Sequence, residues 1–308
     1  METVDPSLAP LAPNDNPARY WRAARIAALV LVTAIIVFSL RGVDWARTGD
    51  ALRQGRPIWL VIAVAANTGI LACWALFWRA LRPAGEPLAS FRRMFEITST
   101  SSALMNTLPF GGGHASSLLL LIRRANMSKR GALSLFALDQ LGEGIAKAAI
   151  FAGVALFVPL PVWMRAAITT ASLVVAAWFV VMAVASRWAQ DLAIMKHWRR
   201  SAAALVCVLA MKAAEAIAIG AVQQAYGVHL PVGETIFVLA AVVLATMLPL
   251  APGNLGTYEA AVFLAYRHLG IPPAQALSVA IVQHVCFMLP AVGVGYAFFS
   301  AQIAKGRD

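Results

Sequence analysis

The chain has few charged residues for its length, and this shortage decides its class. Asp, Glu, Lys and Arg make up only 13% of the 308 residues, whereas 60% are hydrophobic and the mean hydropathy is +0.74. An ordinary soluble domain carries about 25% charged residues. The composition therefore excludes a soluble globular protein and indicates an all-α membrane protein that crosses the bilayer several times.

Acidic residues and cysteines are also scarce. The chain has 14 Asp and Glu against 25 Lys and Arg, which gives a net charge of +11. The basic residues cluster in short links between apolar runs, as the positive-inside rule requires, so we expect no nucleic-acid partner. Cys73, Cys207 and Cys286 each lie within an apolar segment. That placement favours small buried hydrophobes over a disulfide framework.

Motifs for covalent chemistry are missing from the sequence. It contains no Gly-x-Ser-x-Gly nucleophile elbow and no Walker glycine loop. No cluster of His, Cys and Glu has the spacing of metal ligands. We therefore expect no catalytic residue, no metal and no cofactor, and we expect that the protein is not an enzyme.

The apolar runs predict six spanning helices, each of which needs about 20 residues. Two further segments, 92–124 and 233–268, are apolar at both ends but break in the middle, at LPFGGGH (108–114) and LPLAPGN (248–254). The transmembrane domain is predicted at 25–301, between a polar Pro-rich tail (1–24) and a short tail (302–308). The six predicted spans are 25–40, 58–81, 131–158, 162–186, 200–226 and 273–301.

The distribution of basic residues favours re-entrant hairpins for the two broken segments. If each hairpin enters and leaves by the same face, nearly all Arg- and Lys-rich links lie in the cytoplasm, together with both termini. A full crossing by the first segment would place RRANMSKR (123–130) outside. The loop 41–57, with four arginines, is the exception. The expected location is the bacterial plasma membrane.

The two broken segments resemble each other in their order of elements. Each runs from a break through a short apolar helix and a link to a long helix, and Ala132-Leu133-Ser134 matches Ala276-Leu277-Ser278. Because three spans separate the hairpins, the second copy would enter from the opposite face. The sequence thus predicts an inverted repeat, 92–158 and 233–301, with a site at the midplane. A chance match between apolar segments is the alternative.

The residues of the two breaks are the first set of candidate binding residues. Irregular backbone at membrane depth is tolerated only where protein buries it or where it lines a wet cavity. We expect half-helices to begin near Ala115 and Leu255, with free N–H groups that favour an anion such as phosphate. The alternative is tight helix packing at Gly and Pro. The residues are Gly111, Gly112, Gly113, His114, Pro252, Gly253, Asn254 and Gly256.

His114, in the first break, admits three roles. It could carry a proton, donate to a phosphate or cap a helix, and a lone histidine usually does the last of these.

Polar residues within the predicted spans form the second set. Asp139, Glu143 and Lys147 share one helix face, and Asp139 and Glu143 lie about 12 and about 18 Å inside the membrane boundary. Intramembrane ionisable residues are functional hypotheses by default. The alternative is that Glu143–Lys147 and Lys212–Glu215 are neutralised packing pairs. The set comprises Asp139, Gln140, Glu143, Lys147, Lys212, Glu215, Gln283 and His284.

The second repeat carries a family resemblance. APGNLGTYEAAVFLAYRHLGIPPAQALSVAIV (251–282) resembles a Pro-Gly-Gly-x-Gly-x-x-Glu segment of the lysylphosphatidylglycerol synthase transmembrane family, the flippase-like region of the multiple peptide resistance factor. Glu259 matches the glutamate of that family, while Asp139, Gln140 and Glu143 stand where the first repeat often reads Glu-Arg-x-x-Asp. The first break departs from the family, because Gly-His-Ala-Ser-Ser replaces its Gly-Glu and Arg.

The resemblance implies a flippase-like lipid translocase that moves an anionic or modified lipid. It implies no aminoacyl-lipid synthesis, because the aminoacyltransferase domain of the resistance factor is not found in this sequence. Membrane lipids are the expected partners. A secondary transporter for a soluble anion and an accessory subunit of a membrane complex are the alternatives.

Overall fold

The computed structural model describes residues 53–108, 112–158, 198–247 and 251–303, with residues 46 and 50 and scattered positions between 160 and 177. The predicted span 25–40, the tail 1–24 and most of the predicted span 162–186 lie outside the described residues. The described residues belong to one compact unit, Gly42–Asp308. Their regular secondary structure is helical throughout, which confirms the all-α class.

The helices that the structure describes are numbered here in chain order. Between α6 and α7 the chain forms a short 3₁₀ turn, Pro252–Asn254, and between α8 and α9 it forms a π-helical segment, Leu289–Val294. The helices are α1 Pro57–Ala80, α2 Phe91–Thr107, α3 Gly112–Arg124, α4 Lys129–Phe157, α5 Trp198–Ala225, α6 Val232–Thr246, α7 Thr257–His268, α8 Pro273–Met288 and α9 Gly295–Ile303.

Local sequence explains where several helices begin. Pro57 and Pro273 occupy the first turns of α1 and α8, where a missing N–H costs nothing because no intrahelical partner exists there. Ser90 caps α2 by accepting a hydrogen bond from the Arg93 N–H at 3.3 Å. Ser128 caps α4 in the same way through the Gly131 N–H at 2.9 Å. Both serines satisfy backbone donors that the helix itself leaves unpaired.

Helices of membrane-spanning length and apolarity confirm that the protein is embedded in a membrane. Among the described residues three meet both conditions: α1, α5 and the continuous helical stretch Pro273–Ala301. They correspond to the predicted spans 58–81, 200–226 and 273–301. The predicted span 131–158 is also a helix, the 29-residue α4, and it carries the interior charges. Large hydrophobic side chains such as Leu76, Leu205 and Leu209 are exposed, as a lipid-facing surface requires.

Both predicted breaks interrupt the helices. α2 ends at Thr107 and α3 begins at Gly112, while α6 ends at Thr246 and α7 begins at Thr257. The second helix of each broken segment therefore begins within three residues of the predicted position. In both segments the two helices pack against each other.

The two broken segments exchange their packing partners. α2, the first helix of one segment, packs against the π segment and α9 at the end of the chain. α6, the first helix of the other segment, packs against α4. The helices that precede the two segments, α1 and α5, form an extensive contact with each other. Each segment is thus held by the long helix that follows the other segment.

Small residues allow these helices to approach closely. A side chain at Gly113 would overlap the backbone of Met105, so α3 lies directly against α2 at this point. A side chain at Gly295 would overlap the carbonyl group of Ser99, which brings α9 against α2. Such contacts between small residues are a common means of helix association in membranes. A cluster of buried hydrophobic side chains, which includes Trp78, Met94, Leu121 and Leu135, fills the space between α1, α2, α3 and α4.

Candidate binding cavity and second tip

A cavity of about 260 Å³ lies between the helices, and it gathers most of the charged candidates from the first half of the chain. Five of the predicted site residues line it: His114 from α3, and Asp139, Gln140, Glu143 and Lys147 from α4. Helix α1 contributes Asn67 and Trp74, and α8 contributes Phe287. Helix α4 can present its polar residues together because positions four apart share a face.

Asp139 is the most buried of these charged residues, with 2% of its surface exposed. Its Oδ1 atom accepts hydrogen bonds from the indole Nε1 atoms of Trp74, at 2.8 Å, and Trp78, at 2.6 Å. Its Oδ2 atom accepts from the Gln140 amide at 3.1 Å. Three neutral donors, rather than a cation, therefore hold this carboxylate at the cavity wall.

Glu143 and Lys212 form an ion pair that the sequence did not suggest. Lys212 Nζ lies 3.1 Å from Glu143 Oε2 and 2.9 Å from Glu215 Oε1. The expected Lys212–Glu215 pair is thus confirmed, whereas the Glu143–Lys147 alternative is wrong, because Glu143 pairs with Lys212 instead. The three-member cluster joins α4 to α5 beside the cavity.

Lys147 and His114 are the two basic side chains among the residues that line the cavity. Within the part of the chain that the structure describes, no carboxylate lies at ion-pair distance from Lys147. His114 is exposed, and its ring packs edge-on against Phe136 at a centroid distance of 5.6 Å. No hydrogen-bond partner of His114 is present among the described residues. An ammonium group that no carboxylate pairs directly is available to an anionic ligand.

We refer to residues 108–114 as the first tip and residues 251–256 as the second tip. The backbone of the second tip turns sharply, with positive φ angles at Gly253 (60°), Asn254 (55°) and Gly256 (83°). A Cβ atom at Gly253 would lie 2.7 Å from Met288 Cε and 3.3 Å from the carbonyl oxygen of Asn106. Asn106 is close to the C-terminal end of α2, so the second tip lies beside the first broken segment.

His284 and Glu259 hold the second tip from inside. His284 Nδ1 lies 2.8 Å from Glu259 Oε1, and His284 Nε2 lies 2.9 Å from the carbonyl oxygen of Gly253. The other carboxylate oxygen, Glu259 Oε2, accepts the Gly256 N–H at 2.7 Å. His284 is 2% exposed, and the ring of Tyr258 stacks on it at 4.2 Å.

This arrangement corrects one expectation for the second tip. We expected free N–H groups at the start of its half-helix, available to an anionic ligand. The carboxylate of Glu259 already occupies the N-terminus of α7, where it satisfies the Gly256 N–H and the positive end of the helix dipole. In contrast, the first turn of α3 carries no acidic residue.

Gln283 belongs to a buried chain of hydrogen bonds and does not line the cavity. Its Nε2 donates to the Tyr258 hydroxyl at 3.0 Å, and its Oε1 accepts from the Tyr266 hydroxyl at 3.0 Å. Tyr266 accepts from Gln223, which in turn accepts from Thr235. The chain connects α5, α6, α7 and α8 and satisfies polar groups that would otherwise be costly to bury.

Phe287 separates the cavity from the second tip. Its ring lines the cavity and also lies 6.3 Å from the ring of His284 and 6.2 Å from that of Tyr258. The structure therefore brings the first-tip residue His114 and the α4 residues together, and it gathers Glu259 and His284 around the second tip, on the other side of one aromatic ring. Gly111 lies outside the described residues.

Sequence reasoning missed the residues that support these groups. Trp74, Trp78 and Asn67 on α1 and Tyr258 on α7 were not predicted as site residues. Two tryptophans four apart in an apolar helix were the available signal, because a buried indole N–H usually requires an acceptor. Asn67 was a similar signal, and its amide donates to the carbonyl groups of Ala63 and Cys286.

The fold and the site define a class: a helical membrane protein with two broken helical segments and a charged cavity between its helices. The family described as the lysylphosphatidylglycerol synthase TM region matches residues 25–295, so the chain belongs to that family. The match spans both broken segments and every predicted site residue. The family resemblance seen in the sequence is thereby confirmed. Comparison with curated proteins gives no match.

Proposed function

We propose that the protein is a lipid translocase of the bacterial plasma membrane that binds an anionic headgroup in the cavity beside the first tip. The observation that carries this proposal is Lys147, an ammonium group at the cavity wall without a carboxylate partner in the described chain. Lys147 is partly exposed, so its ammonium group can be reached by an anionic ligand in the cavity. Membership of a lipid-related membrane family supports a lipid as that ligand.

The size and surroundings of the cavity support a headgroup as the bound part. A cavity of about 260 Å³ is smaller than typical pockets for drug-sized ligands, which are about 300–1,000 Å³. It can hold a phosphate-bearing headgroup, whereas the acyl chains stay in the bilayer. His114 and the N-terminal end of α3 add donors on the same side as Lys147. The lipid moves without the making or breaking of a covalent bond, so the protein is not an enzyme.

The packing pattern supports the inverted repeat and the re-entrant hairpins as part of this proposal. In each half a long helix, a broken pair and a second long helix follow one another, and each broken pair packs against the long helix of the other half. A two-fold relation between the halves produces such an exchange. In the proposed topology the pairs are re-entrant hairpins from opposite faces, six helices span the membrane and both termini are cytoplasmic.

The first prediction tests Lys147 in vesicles that contain the purified protein alone. Fluorescent phosphatidylglycerol should cross between leaflets faster than fluorescent phosphatidylcholine, as measured by chemical quenching of the outer leaflet. Lys147→Gln should slow phosphatidylglycerol at least about tenfold, a loss of about 1.4 kcal/mol, because it removes the charge that binds the phosphate. Lys147→Arg should retain most of the rate.

A matched control lies on the same helix. Lys129→Gln removes the same charge from an exposed position at the start of α4 and should leave the rate unchanged. Uptake of inorganic phosphate and glycerol 3-phosphate, measured in the same vesicles, distinguishes the soluble-anion alternative. Transport of these solutes without lipid movement would contradict the lipid translocase and support a transporter of soluble anions. Movement of neither would contradict transport and favour the accessory subunit.

A further inference from the structure

The contacts of His284 fix the number of protons at the second tip. The carbonyl oxygen of Gly253 can only accept a hydrogen bond, so its partner at 2.9 Å, His284 Nε2, must carry a hydrogen. At Nδ1 the neighbour is a carboxylate oxygen of Glu259, 2.8 Å away. A neutral ring with its hydrogen on Nε2 would set a lone pair of Nδ1 against an ionised carboxylate, which is repulsive.

One additional proton resolves this conflict. It can reside on Nδ1, which gives an imidazolium and a carboxylate, or on Glu259 Oε1, which gives a neutral imidazole and a carboxylic acid. Either form satisfies both contacts. The arrangement in the structure is therefore the proton-loaded form of the pair.

Loss of that proton must break one of the contacts that hold the second tip. If the remaining ring hydrogen moves to Nδ1, the contact with Glu259 persists and the carbonyl group of Gly253 loses its donor. If the hydrogen stays on Nε2, the carboxylate is repelled and its bond to the Gly256 N–H is disturbed. Both outcomes loosen residues 253–256, where Asn254 has a positive φ angle that a residue other than glycine rarely adopts.

The surroundings of the pair contribute few other charges. On α7, Tyr258 stacks on the imidazole with its hydroxyl engaged by Gln283, and a stacked aromatic ring favours a cationic partner. Tyr266 and Glu215 lie within electrostatic range of Tyr258, and Glu215 is itself paired with Lys212. On α8 the next titratable group is the Cys286 thiol. From α1, the uncharged amide of Asn67 donates to the backbone carbonyl oxygen of Cys286.

We infer that His284 and Glu259 form a binding site for one proton, and that the bound proton fastens the second tip. If the proposed translocase function holds, the site lets a proton gradient drive the lipid, because the second tip lies against Asn106 of the first broken segment, and Phe287 at the cavity wall packs against Tyr258 and His284 beside that tip. Proton release would then loosen the second tip, which lies on the other side of Phe287 from the cavity.

Glu259→Gln is the most informative variant. The glutamine amide can donate to the neutral Nδ1 atom of His284, and its carbonyl oxygen can accept the Gly256 N–H. The substitution thus supplies the missing hydrogen permanently and keeps every contact of the tip. It should fold like the wild type and fix the second tip at every pH.

The test follows the tip and the imidazole directly in the full chain in lipid nanodiscs. A nitroxide at exposed Leu255, with Cys73, Cys207 and Cys286 replaced by alanine, reports the mobility of the second tip. Nitrogen-15 resonances of the histidines report their protonation over about pH 5 to about pH 9, a range that covers perturbed histidines.

We expect the nitroxide in the wild type to become several-fold more mobile as His284 loses its proton. Glu259→Gln should keep it immobile throughout, and His284→Ala should leave it mobile throughout. His268→Gln removes a histidine at the other end of α7. In this variant the nitroxide mobility should depend on pH as it does in the wild type. Mobility that does not change with pH in the wild type, or a Glu259→Gln variant that titrates like it, would overturn the proton site.

Lipid movement under an imposed pH gradient separates this inference from the proposed function. The gradient should accelerate phosphatidylglycerol in the wild type and not in Glu259→Gln. A tip that titrates in a protein that moves no lipid would refute the translocase and leave the proton site standing. If the rate of lipid movement is unaffected by the gradient and the mobility of the second tip is independent of pH, the proton site alone is refuted.

Discussion

The two tips differ in the contacts that hold them. Both interrupt a pair of packed helices, yet the first presents an exposed histidine to the cavity, whereas the second is tied to a buried histidine through its own backbone. The start of α3 has no acidic residue in its first turn, and the start of α7 is capped by Glu259. The difference shows that two broken segments with the same order of elements can be held differently: internal contacts hold the second tip, and we propose that the first is available to a ligand.

The largest expected effect contrasts a glycine from each tip. Gly113→Val should destabilise the protein by more than about 3 kcal/mol, because its side chain would overlap the rigid backbone of Met105. Gly253→Ala should cost only about 1–2 kcal/mol for the positive φ angle, since its close neighbour, Met288, ends in a flexible methyl group. The yield of monodisperse protein and its melting temperature in detergent measure both.

Gly153→Val on α4 serves as the control for this contrast, because open space surrounds that position. A Gly113→Val protein as stable as the wild type would show that the first tip is not held by contact with α2.

The next largest effect is expected from a comparison of the two histidines. His284→Ala should lower the free energy of unfolding by about 3 kcal/mol, because it removes two buried hydrogen bonds and strands their acceptors. His114→Ala should change it by less than about 0.5 kcal/mol, as is usual for exposed residues without hydrogen bonds. Steric trapping measures both values in lipid. If both variants lost the same free energy of unfolding, the distinction between an exposed first tip and a second tip held by buried contacts would be contradicted.

The smallest expected effect sharpens the account of the second tip. Met288→Ala should remove the crowding over Gly253, so Gly253→Ala should cost less in that background than in the wild type. A double-mutant cycle should give a coupling of about 0.5–1 kcal/mol, and the remaining cost should reflect the φ angle alone. A coupling of zero would assign the entire cost to the backbone and none to Met288.

The extent to which the sequence predicted this structure depended on the range of the interactions. Helix lengths, the two breaks and the shared face of Asp139, Glu143 and Lys147 are local properties, and the structure contains them at nearly the predicted positions. The contact between His284 and Glu259 joins two different helices. Neither residue indicates the other by spacing. The bond from the Gly256 N–H to Glu259, in contrast, is a local contact over three residues, and the expectation of free N–H groups at the second tip overlooked it.

The choice of ion-pair partner shows the same limit. Lys147 is one helical turn from Glu143 and was a reasonable partner, but Lys212 reaches Glu143 from α5. Only the packing of α4 against α5 decides between the two lysines. The indole donors to Asp139 come from α1, so the sequence of α4 alone could not predict them either.

The π-helical segment at Leu289–Val294 shifts the phase of the last helix. Pro290 lacks an N–H, and a π turn contains one residue more than an α turn, which rotates everything after it by about 100° relative to an unbroken helix. Before the segment, His284 faces the second tip; after it, Gly295 and Tyr296 face α2, where the Tyr296 and Thr107 hydroxyls are 2.8 Å apart. A single inserted residue thus lets one helix serve both broken segments, and its removal would turn the end of the chain away from α2 without altering any residue that touches the cavity from α4.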